Sequence, residues 1–207
     1  MVHYKLTYFN VRGYGEPARL MFKHAGIDFE DVQVTHEQWA AIKESTPFGQ
    51  VPTLEVDGVV IAQSFAILRL IAKVAGLYPT DPVQAALVDS IADYVKEVDD
   101  KGFHDYFVTK LGYMQGDADK LMQEQCHPMA EKAFPIFTKW LKESGTGYLT
   151  KSGLSWADFY AAEKLGNVVN SCEKSAARWP EITAFVKKVY SLPTIKEHIA
   201  SRPKTMY

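Results

Sequence analysis

The chain has only two cysteines among its 207 residues, Cys126 and Cys172. They are too far apart for a CxxC redox motif and too few for a disulfide scaffold, so we expect both to be buried, reduced thiols without a catalytic role. The first 80 residues contain no cysteine at all. Any thiol chemistry in that part of the chain therefore needs a sulfur from a ligand.

Other absences exclude whole classes of function. No apolar run approaches the roughly 18 residues that span a bilayer, and Met1 to Leu6 lacks the apolar core of a signal peptide, so the sequence predicts a cytoplasmic protein without a membrane partner. The formal net charge of -2, a pI near 6.3 and the lack of a long Lys and Arg run argue against nucleic-acid binding. The six histidines show no ligand spacing such as HxxxH, so no metal site is predicted.

The residue pattern changes near Asp81, which predicts two domains, residues 1–78 and 82–207. Before that point strand and helix signals alternate in the order βαβαββα. The predicted strands cover Lys5 to Phe9, Phe29 to Val34, Thr53 to Val56 and Val59 to Ala62, and the predicted helices cover Glu16 to Ala25, Glu37 to Glu44 and Ser64 to Ala75. An α/β domain of this order, with a proline opening its third strand, matches the thioredoxin-like pattern.

After Asp81 the sequence has a helical period, which predicts an all-α second domain. The predicted helices include one from Val83 to about Lys110 and one from Asp117 to Glu143. We expect the second to bend or break near Pro128 and Pro135, because a proline inside a helix removes a hydrogen bond. Ser155-Trp156-Ala157-Asp158 fits a capping box, in which Ser155 and Asp158 satisfy each other's backbone N–H groups.

Residues 47–64, PFGQVPTLEVDGVVIAQS, combine three features that suit a small peptide ligand. Val51-Pro52 is a candidate cis bond whose sharp turn leaves the backbone groups of Val51 to pair with an extended ligand. Asp57-Gly58 predicts a tight hairpin, and Ser64 is the predicted N-cap of a helix whose N–H groups attract a carboxylate. Each feature alone is more often an ordinary strand start or helix cap, but their combination favours a peptide-binding site.

Five motifs in order extend over essentially the whole chain. They are Tyr8-Phe9-Asn10-x-Arg12-Gly13-x-x-Glu16, Pro47-Phe48-Gly49-Gln50-Val51-Pro52, Gln63-Ser64, Ser155-Trp156-Ala157-Asp158-Phe159 and Arg202-Pro203. In these motifs the chain resembles the sigma-class cytosolic glutathione transferases, especially their invertebrate and nematode members. The resemblance implies a homodimeric enzyme that binds glutathione in its thioredoxin-like domain and a hydrophobic electrophile between that domain and the helices.

Tyr8 is the candidate catalytic residue. A free thiol has a pKa of about 8.5, so at neutral pH it needs a donor aimed at its sulfur to become a thiolate. Tyr8 stands at the end of the first strand, and its protonated hydroxyl could donate that hydrogen bond. Strand alternation puts Tyr4 on the same side, so on its own the pattern also allows Tyr8 to be one more half-buried aromatic.

By resemblance, several residues bind the three parts of glutathione. The predicted set is Tyr8, Trp39, Lys43, Gly49, Gln50, Val51, Pro52, Gln63, Ser64 and Glu97. Trp39 and Lys43 share a helix face and would hold the glycyl carboxylate, although an aromatic packed on the sheet beside a solvated lysine has the same spacing. Gln63 and Ser64 would take the γ-glutamyl carboxylate at a helix N-terminus.

Two expectations concern a partner subunit. Glu97, with Asp99 and Asp100 close by, would reach the ligand's α-amino group across a dimer, or else this acidic run is a solvated helix face. Phe48 would insert into the neighbouring subunit as an anchor, or else pack against its own chain.

One departure from the sigma pattern concerns the thiol. Many sigma members have an arginine two residues after Arg12, whereas this chain has Tyr14, so the degree of thiol activation and any prostaglandin isomerase activity are open. The predicted electrophile pocket consists of Phe9, Tyr14, His104, Tyr160 and Tyr207. Its aromatic lining suits flat apolar molecules, which leaves binding of haem or other planar ligands as an alternative function.

Overall fold

Four strands form a mixed sheet in the computed structural model, which describes residues 2–171, 177–203 and 205. They are β1 (Tyr4–Phe9), β2 (Glu30–Val34), β3 (Thr53–Val56) and β4 (Val59–Ala62). In the order β2-β1-β3-β4, β1 and β2 run parallel while β3 is antiparallel to both of its neighbours. The side chains of β1 alternate between buried and half-buried, as period two requires, so Tyr4, Leu6 and Tyr8 share the buried face.

Three helices accompany this sheet, α1 (Glu16–Ala25), α2 (His36–Ile42) and α3 (Ser64–Val74). Helix α1 ends at Gly26, whose φ of 63° is the left-handed conformation that glycine adopts without a steric cost. Helix α2 begins with a capping box between Thr35 and Gln38 and continues into a 3-10 turn, Lys43–Ser45. The predicted βαβαββα order is confirmed.

The chain divides into two compact units. The first contains the residues up to Tyr78 together with the carboxyl-terminal segment, Leu192–Thr205, and the second contains Pro79–Ser191. The sequence pattern placed all of 82–207 in the helical domain, whereas Leu192–Thr205 clusters with the first unit. A short helix near the carboxyl end, α10 (Lys196–Ser201), therefore belongs to the thioredoxin-like unit.

The second unit is helical throughout its described elements, as predicted. They are α4 (Pro82–Val98), α5 (His104–Lys110), α6 (Ala118–Leu121), α7 (His127–Ser144), α8 (Trp156–Ser171) and α9 (Pro180–Tyr190). The expected helix from Val83 to Lys110 is α4 and α5 joined by a π-helical turn, Asp99–Phe103. A second π-helical turn, Met122–Cys126, precedes Pro128, whereas α7 continues through Pro135.

The predicted capping box at α8 forms in part. The carboxylate of Asp158 accepts the N–H of Ser155 at 2.8 Å and that of Leu149 at 2.8 Å. The hydroxyl of Ser155 donates to the same carboxylate at 2.8 Å, while the N–H of Asp158 donates to the Ser155 carbonyl oxygen at 3.1 Å. Asp158 therefore fixes the start of the most buried helix of this unit.

Candidate active site

Tyr8 lies at the carboxyl end of β1 and is 6% exposed. Its hydroxyl oxygen accepts the backbone N–H of Tyr14 at 3.1 Å. Burial raises the pKa of Tyr8, outweighing the lowering by the Tyr14 N–H and the Arg19 charge. The phenol is therefore protonated at neutral pH, and because the Tyr14 contact uses a lone pair, the hydroxyl hydrogen remains for donation.

The loop between β1 and α1 closes tightly around the Tyr8 ring because it has glycine at two positions. A Cβ at Gly13, where φ is +40°, would lie 2.5 Å from the Tyr8 hydroxyl oxygen. A Cβ at Gly15 would lie 2.5 Å from Cδ1 of the same ring, closer than real Cβ atoms approach any atom. The loop backbone can therefore approach the Tyr8 side chain this closely only because positions 13 and 15 are glycine.

Two arginines of the β1–α1 loop and of α1 have different surroundings. Arg12 points to the carboxyl-terminal segment, where it donates to the carbonyl oxygen of Thr205 at 2.8 Å. Arg19 instead lies 6.0 Å from the Tyr8 ring centroid and contacts Asp31 at 3.0 Å. Arg19 was not predicted as a site residue, although its spacing of three residues from Glu16 on α1 was a signal for a buried ion pair.

Glu16 is a buried carboxylate at the start of α1, 2% exposed. It accepts hydrogen bonds from His198 at 2.8 Å and from Arg202 at 2.8 Å, both of the carboxyl-terminal segment. Burial by itself raises the pKa of this carboxyl, but the hydrogen bond from His198 and the charge and hydrogen bond of Arg202 together lower it to about 2. Glu16 is therefore ionised at neutral pH.

Two features of residues 47–64 meet beside the first residue of β3, Thr53, which pairs with Ala62 at the end of β4. The Val51-Pro52 bond is cis, as predicted, and β3 begins its pairing with β1 at Thr53 opposite Thr7. The side-chain amide of Gln63 donates to that of Gln50 at 3.2 Å, so these two residues are brought together across the hairpin. The cap prediction is wrong by one residue, because Gln63 is the N-cap with φ 74°, and Ser64 is the first residue of α3.

Trp39 lies in the middle of α2, and Lys43 is the first residue of the 3-10 turn that follows. The Trp39 indole is half-buried and packs edge-on against Phe9, with ring centroids 5.9 Å apart. Lys43 is exposed, and a Cβ built on Gly49 would be 3.6 Å from its Cε. Phe9 points to the opposite face of β1 from Tyr8, so its ring lies beside Trp39 and His36.

The acidic residues at the end of α4 and in the π-helical turn after it form ion pairs with lysines of the same chain. Glu97 forms an exposed ion pair with Lys101 at 2.8 Å, and Asp100 forms one with Lys96. Asp99 is buried and lies 2.8 Å from Lys164. Asp99 is therefore a core residue, whereas Glu97 and Asp100 are at the surface.

The remaining predicted pocket residues and cysteine that the structure describes differ in burial. Tyr160 is fully buried, 5.8 Å from the Lys164 ammonium nitrogen, which corrects the prediction that its ring lines a ligand pocket. His104 is half-buried at the start of α5. Cys126 is a buried free thiol, as expected, whereas Tyr207 and Cys172 lie outside the described residues.

Membrane spans and metal clusters are both lacking in the described part of the chain. Among the helices with described residues, none is long and apolar enough to cross a membrane. Within residues 2–171, 177–203 and 205, no group of three or more His, Cys, Asp or Glu side chains is placed to hold a metal ion.

The fold and the site together define a thioredoxin-like domain, without a cysteine of its own, that is followed by a helical domain. A family model described as the glutathione S-transferase N-terminal domain matches residues 4–73, and one for the C-terminal domain matches residues 101–202. The chain therefore belongs to the glutathione S-transferase family. It is a transferase, and glutathione is its co-substrate.

Several full-length relatives are similar to this chain. "Glutathione S-transferase 1" of Ascaris suum is 40% identical over 100% of both chains. A solved structure of a Nu-class transferase from Haemonchus contortus is 44% identical, with a TM-score of 0.89 and 100% coverage of both chains. A structure described as monomeric Na-GST-3, from Necator americanus, is 41% identical with a TM-score of 0.92, covering 99% of this chain and 100% of that one. The relatives do not favour haem sequestration or prostaglandin isomerisation over transfer.

Proposed function

We propose that Tyr8 stabilises the thiolate of bound glutathione by donating its hydroxyl hydrogen to the sulfur. The observation that supports this role is the Tyr14 N–H, which donates to the Tyr8 oxygen at 3.1 Å. A donor on the phenol oxygen makes its O–H more polar, and therefore a better donor to an anion. Because this unit lacks a cysteine, the sulfur comes from the tripeptide.

The reaction that follows is a substitution at an electrophilic carbon. The thiolate forms a sulfur–carbon bond, the leaving group departs with the electron pair of its own bond to carbon, and the thiol proton is released to solvent. We propose hydrophobic electrophiles as the substrate class. The candidate contact residues in the first unit are Phe9 and Tyr14.

We propose that the tripeptide pairs with the edge formed by Val51 and Pro52, as an added strand. Gln50 and Gln63, which contact each other, would orient the γ-glutamyl end at the N-terminus of α3, beside Ser64. A positive φ at a residue other than glycine, as at Gln63, occurs preferentially at binding sites. Trp39, Lys43 and the neighbouring Gly49 would hold the glycyl carboxylate.

The proposed role of Tyr8 predicts that the thiol of glutathione ionises more easily on the protein than in water. We expect the bound thiol to titrate with an apparent pKa about one to two units below the free value of about 8.5. The measurement is the ultraviolet absorbance of the thiolate, followed as the complex is titrated with base. S-methylglutathione, which has no ionisable thiol, is the matched control for tyrosine ionisation. A bound thiol that titrates like the free one would contradict the proposal.

We also propose a homodimer anchored by Phe48. Phe48 is 64% exposed within its own chain, so its ring is not buried against that chain. Val59 on the edge strand β4 is also 64% exposed. An exposed aromatic ring on a polar loop suits insertion into a partner. Glu97 is then the candidate for a contact with the partner's ligand, and it would have to exchange its ion pair with Lys101.

Phe48→Ser is expected to convert the dimer into monomers, because it removes the apolar anchor from the interface. Sedimentation velocity at micromolar concentration measures the change. Tyr113→Ser is the control, since Tyr113 is a similarly exposed aromatic, 58% exposed, on the helical unit. A parent protein that is itself monomeric, as the related Na-GST-3 is described to be, would refute the dimer.

Two further points are the glutathione transferase class to which the chain belongs and its location in the cell. The motifs resemble those of the sigma class, while one similar structure is described as Nu-class, and the role proposed for Tyr8 does not depend on that label. We propose a cytoplasmic location because Cys126 is a free thiol and the co-substrate is a reduced thiol, both of which suit a reducing compartment.

A further inference from the structure

The carboxyl-terminal segment contacts both ends of the loop that touches Tyr8. At the front of the loop, the Arg12 guanidinium donates to the carbonyl oxygen of Thr205 at 2.8 Å and to its hydroxyl at 3.3 Å. At the rear, Glu16 accepts from Arg202 and His198, each at 2.8 Å. The Glu16 N–H also donates to the carbonyl oxygen of Arg12 at 2.8 Å, which joins the two attachment points.

Between these two attachments lie only Gly13, Tyr14 and Gly15. They include the N–H that donates to the Tyr8 hydroxyl and both glycines that border the ring. Two glycines give this segment little conformational preference of its own, so its geometry depends on what holds its ends. Both ends are held by contacts with the carboxyl-terminal segment.

The attachments are buried, so removing one partner costs more than it does at a surface ion pair. Arg12 is 8% exposed, and the side chains of Glu16 and Arg202 are 3% and 9% exposed. Without Arg202 the Glu16 carboxylate keeps Arg19 at 3.3 Å and His198 at 2.8 Å but loses one charged donor, so its negative charge is less well compensated and its surroundings rearrange. The surroundings here are the loop and the start of α1.

We propose that Arg202 and Arg12 are positioning residues for catalysis, through which the carboxyl-terminal segment holds the Tyr14 N–H against the Tyr8 hydroxyl. This inference rests on the proposed role of Tyr8 as the donor to the thiolate. When the loop loosens, Tyr8 loses the polarising N–H, donates more weakly to the sulfur, and the bound thiol ionises at a higher pH. The carboxyl-terminal segment thus sets the acidity of a thiol that it does not contact.

The test is the pH dependence of kcat/KM for glutathione and an activated aryl halide. Arg202→Met and Arg12→Met are each expected to move the inflection of the profile to higher pH. At a pH about two units below the free thiol pKa, kcat/KM is expected to fall by about 3- to 10-fold, because the loss corresponds to one neutral hydrogen bond. The deficit shrinks as the pH rises, because the thiol then ionises without help. Arg202→Lys, which keeps a charged donor, is expected to restore part of the shift.

The matched control is Arg178→Met, the same substitution at an exposed ion pair with Glu131 on the helical unit, with an unchanged profile expected. Parental inflections in Arg202→Met and Arg12→Met would overturn the inference, even with lowered thermal stability, because a merely structural role changes stability and not thiol acidity. If Arg202→Met does not fold, the profile of Arg202→Lys decides in the same way. Tyr8→Phe separates the two claims, since a parental profile in that variant refutes the role of Tyr8 itself.

Discussion

Tyr8→Phe is expected to lower kcat/KM for conjugation of glutathione with an activated aryl halide by about 8- to 25-fold at neutral pH, which is the loss of thiolate when its pKa returns from one to two units below the free value to about 8.5. The substitution removes one hydroxyl and keeps the ring, which is 6% exposed and bordered by Gly13 and Gly15. Steady-state rates over a range of pH measure the effect. The inflection of the profile should move towards about 8.5, the pKa of a free thiol.

Tyr4→Phe is the matched control for this prediction. Tyr4 lies on the same strand and the same face, is 8% exposed, and packs its ring on Phe22 with centroids 5.2 Å apart. The same atom is removed, yet we expect a nearly parental rate. Equal losses in both variants would mean that the hydroxyl of Tyr8 is merely structural, and a parental rate in Tyr8→Phe would show that the donor is another group.

Lys164→Met is expected to lower the free energy of unfolding by about 3 to 5 kcal/mol, the typical cost of removing one partner of a buried ion pair. The Lys164 and Asp99 side chains are 2% and 1% exposed, with nitrogen and oxygen 2.8 Å apart. Burial lowers the pKa of Lys164, and the Asp99 carboxylate opposes this. Without the ammonium, that carboxylate stays buried in the π-helical turn between α4 and α5. Urea unfolding measures the change.

The double variant Asp99→Asn with Lys164→Met is expected to recover much of the lost stability, because no uncompensated charge then remains. Lys101→Met provides the control at a surface pair, since Glu97 and Lys101 are 50% and 65% exposed and solvent screens them. Little change is expected there. A Lys164→Met protein as stable as the parent would show that the buried pair contributes nothing to the fold.

The order of elements in the first domain could be predicted because its signals are local. Periods of two and of 3.6 residues mark the strands and helices, and Gly26 and Asp57-Gly58 mark their ends. The cap at α3 was misplaced by one residue because the φ of 74° at Gln63 is an unusual conformation that no local rule assigns to glutamine. The break of the long helix at Asp99–Phe103 was also missed, since the single Gly102 in it is tolerated inside a helix and does not by itself specify a π-helical turn.

The candidate site was predictable where one residue type suffices for a role. Pro52 before a strand could be chosen from the chain itself, whereas Tyr8 was chosen over an ordinary half-buried aromatic only through the resemblance to a known family, because Tyr4 lies on the same face of the strand. The contacts that surround them could not, because their partners are far apart in sequence. Arg12 meets Thr205, Glu16 meets Arg202, and Asp99 meets Lys164.

The sequence by itself determined the two-domain order, the absence of a cysteine in the first 80 residues and hence the need for a ligand's sulfur, since these depend on residue type and short-range spacing. Only the tertiary structure decided that the last described residues return to the first unit, that Arg19 approaches the Tyr8 ring, and that the backbone of Tyr14 donates to its hydroxyl. The physical reason is that contacts between distant residues depend on the packing of the whole unit, and the energies that select them are not visible in any short stretch of chain.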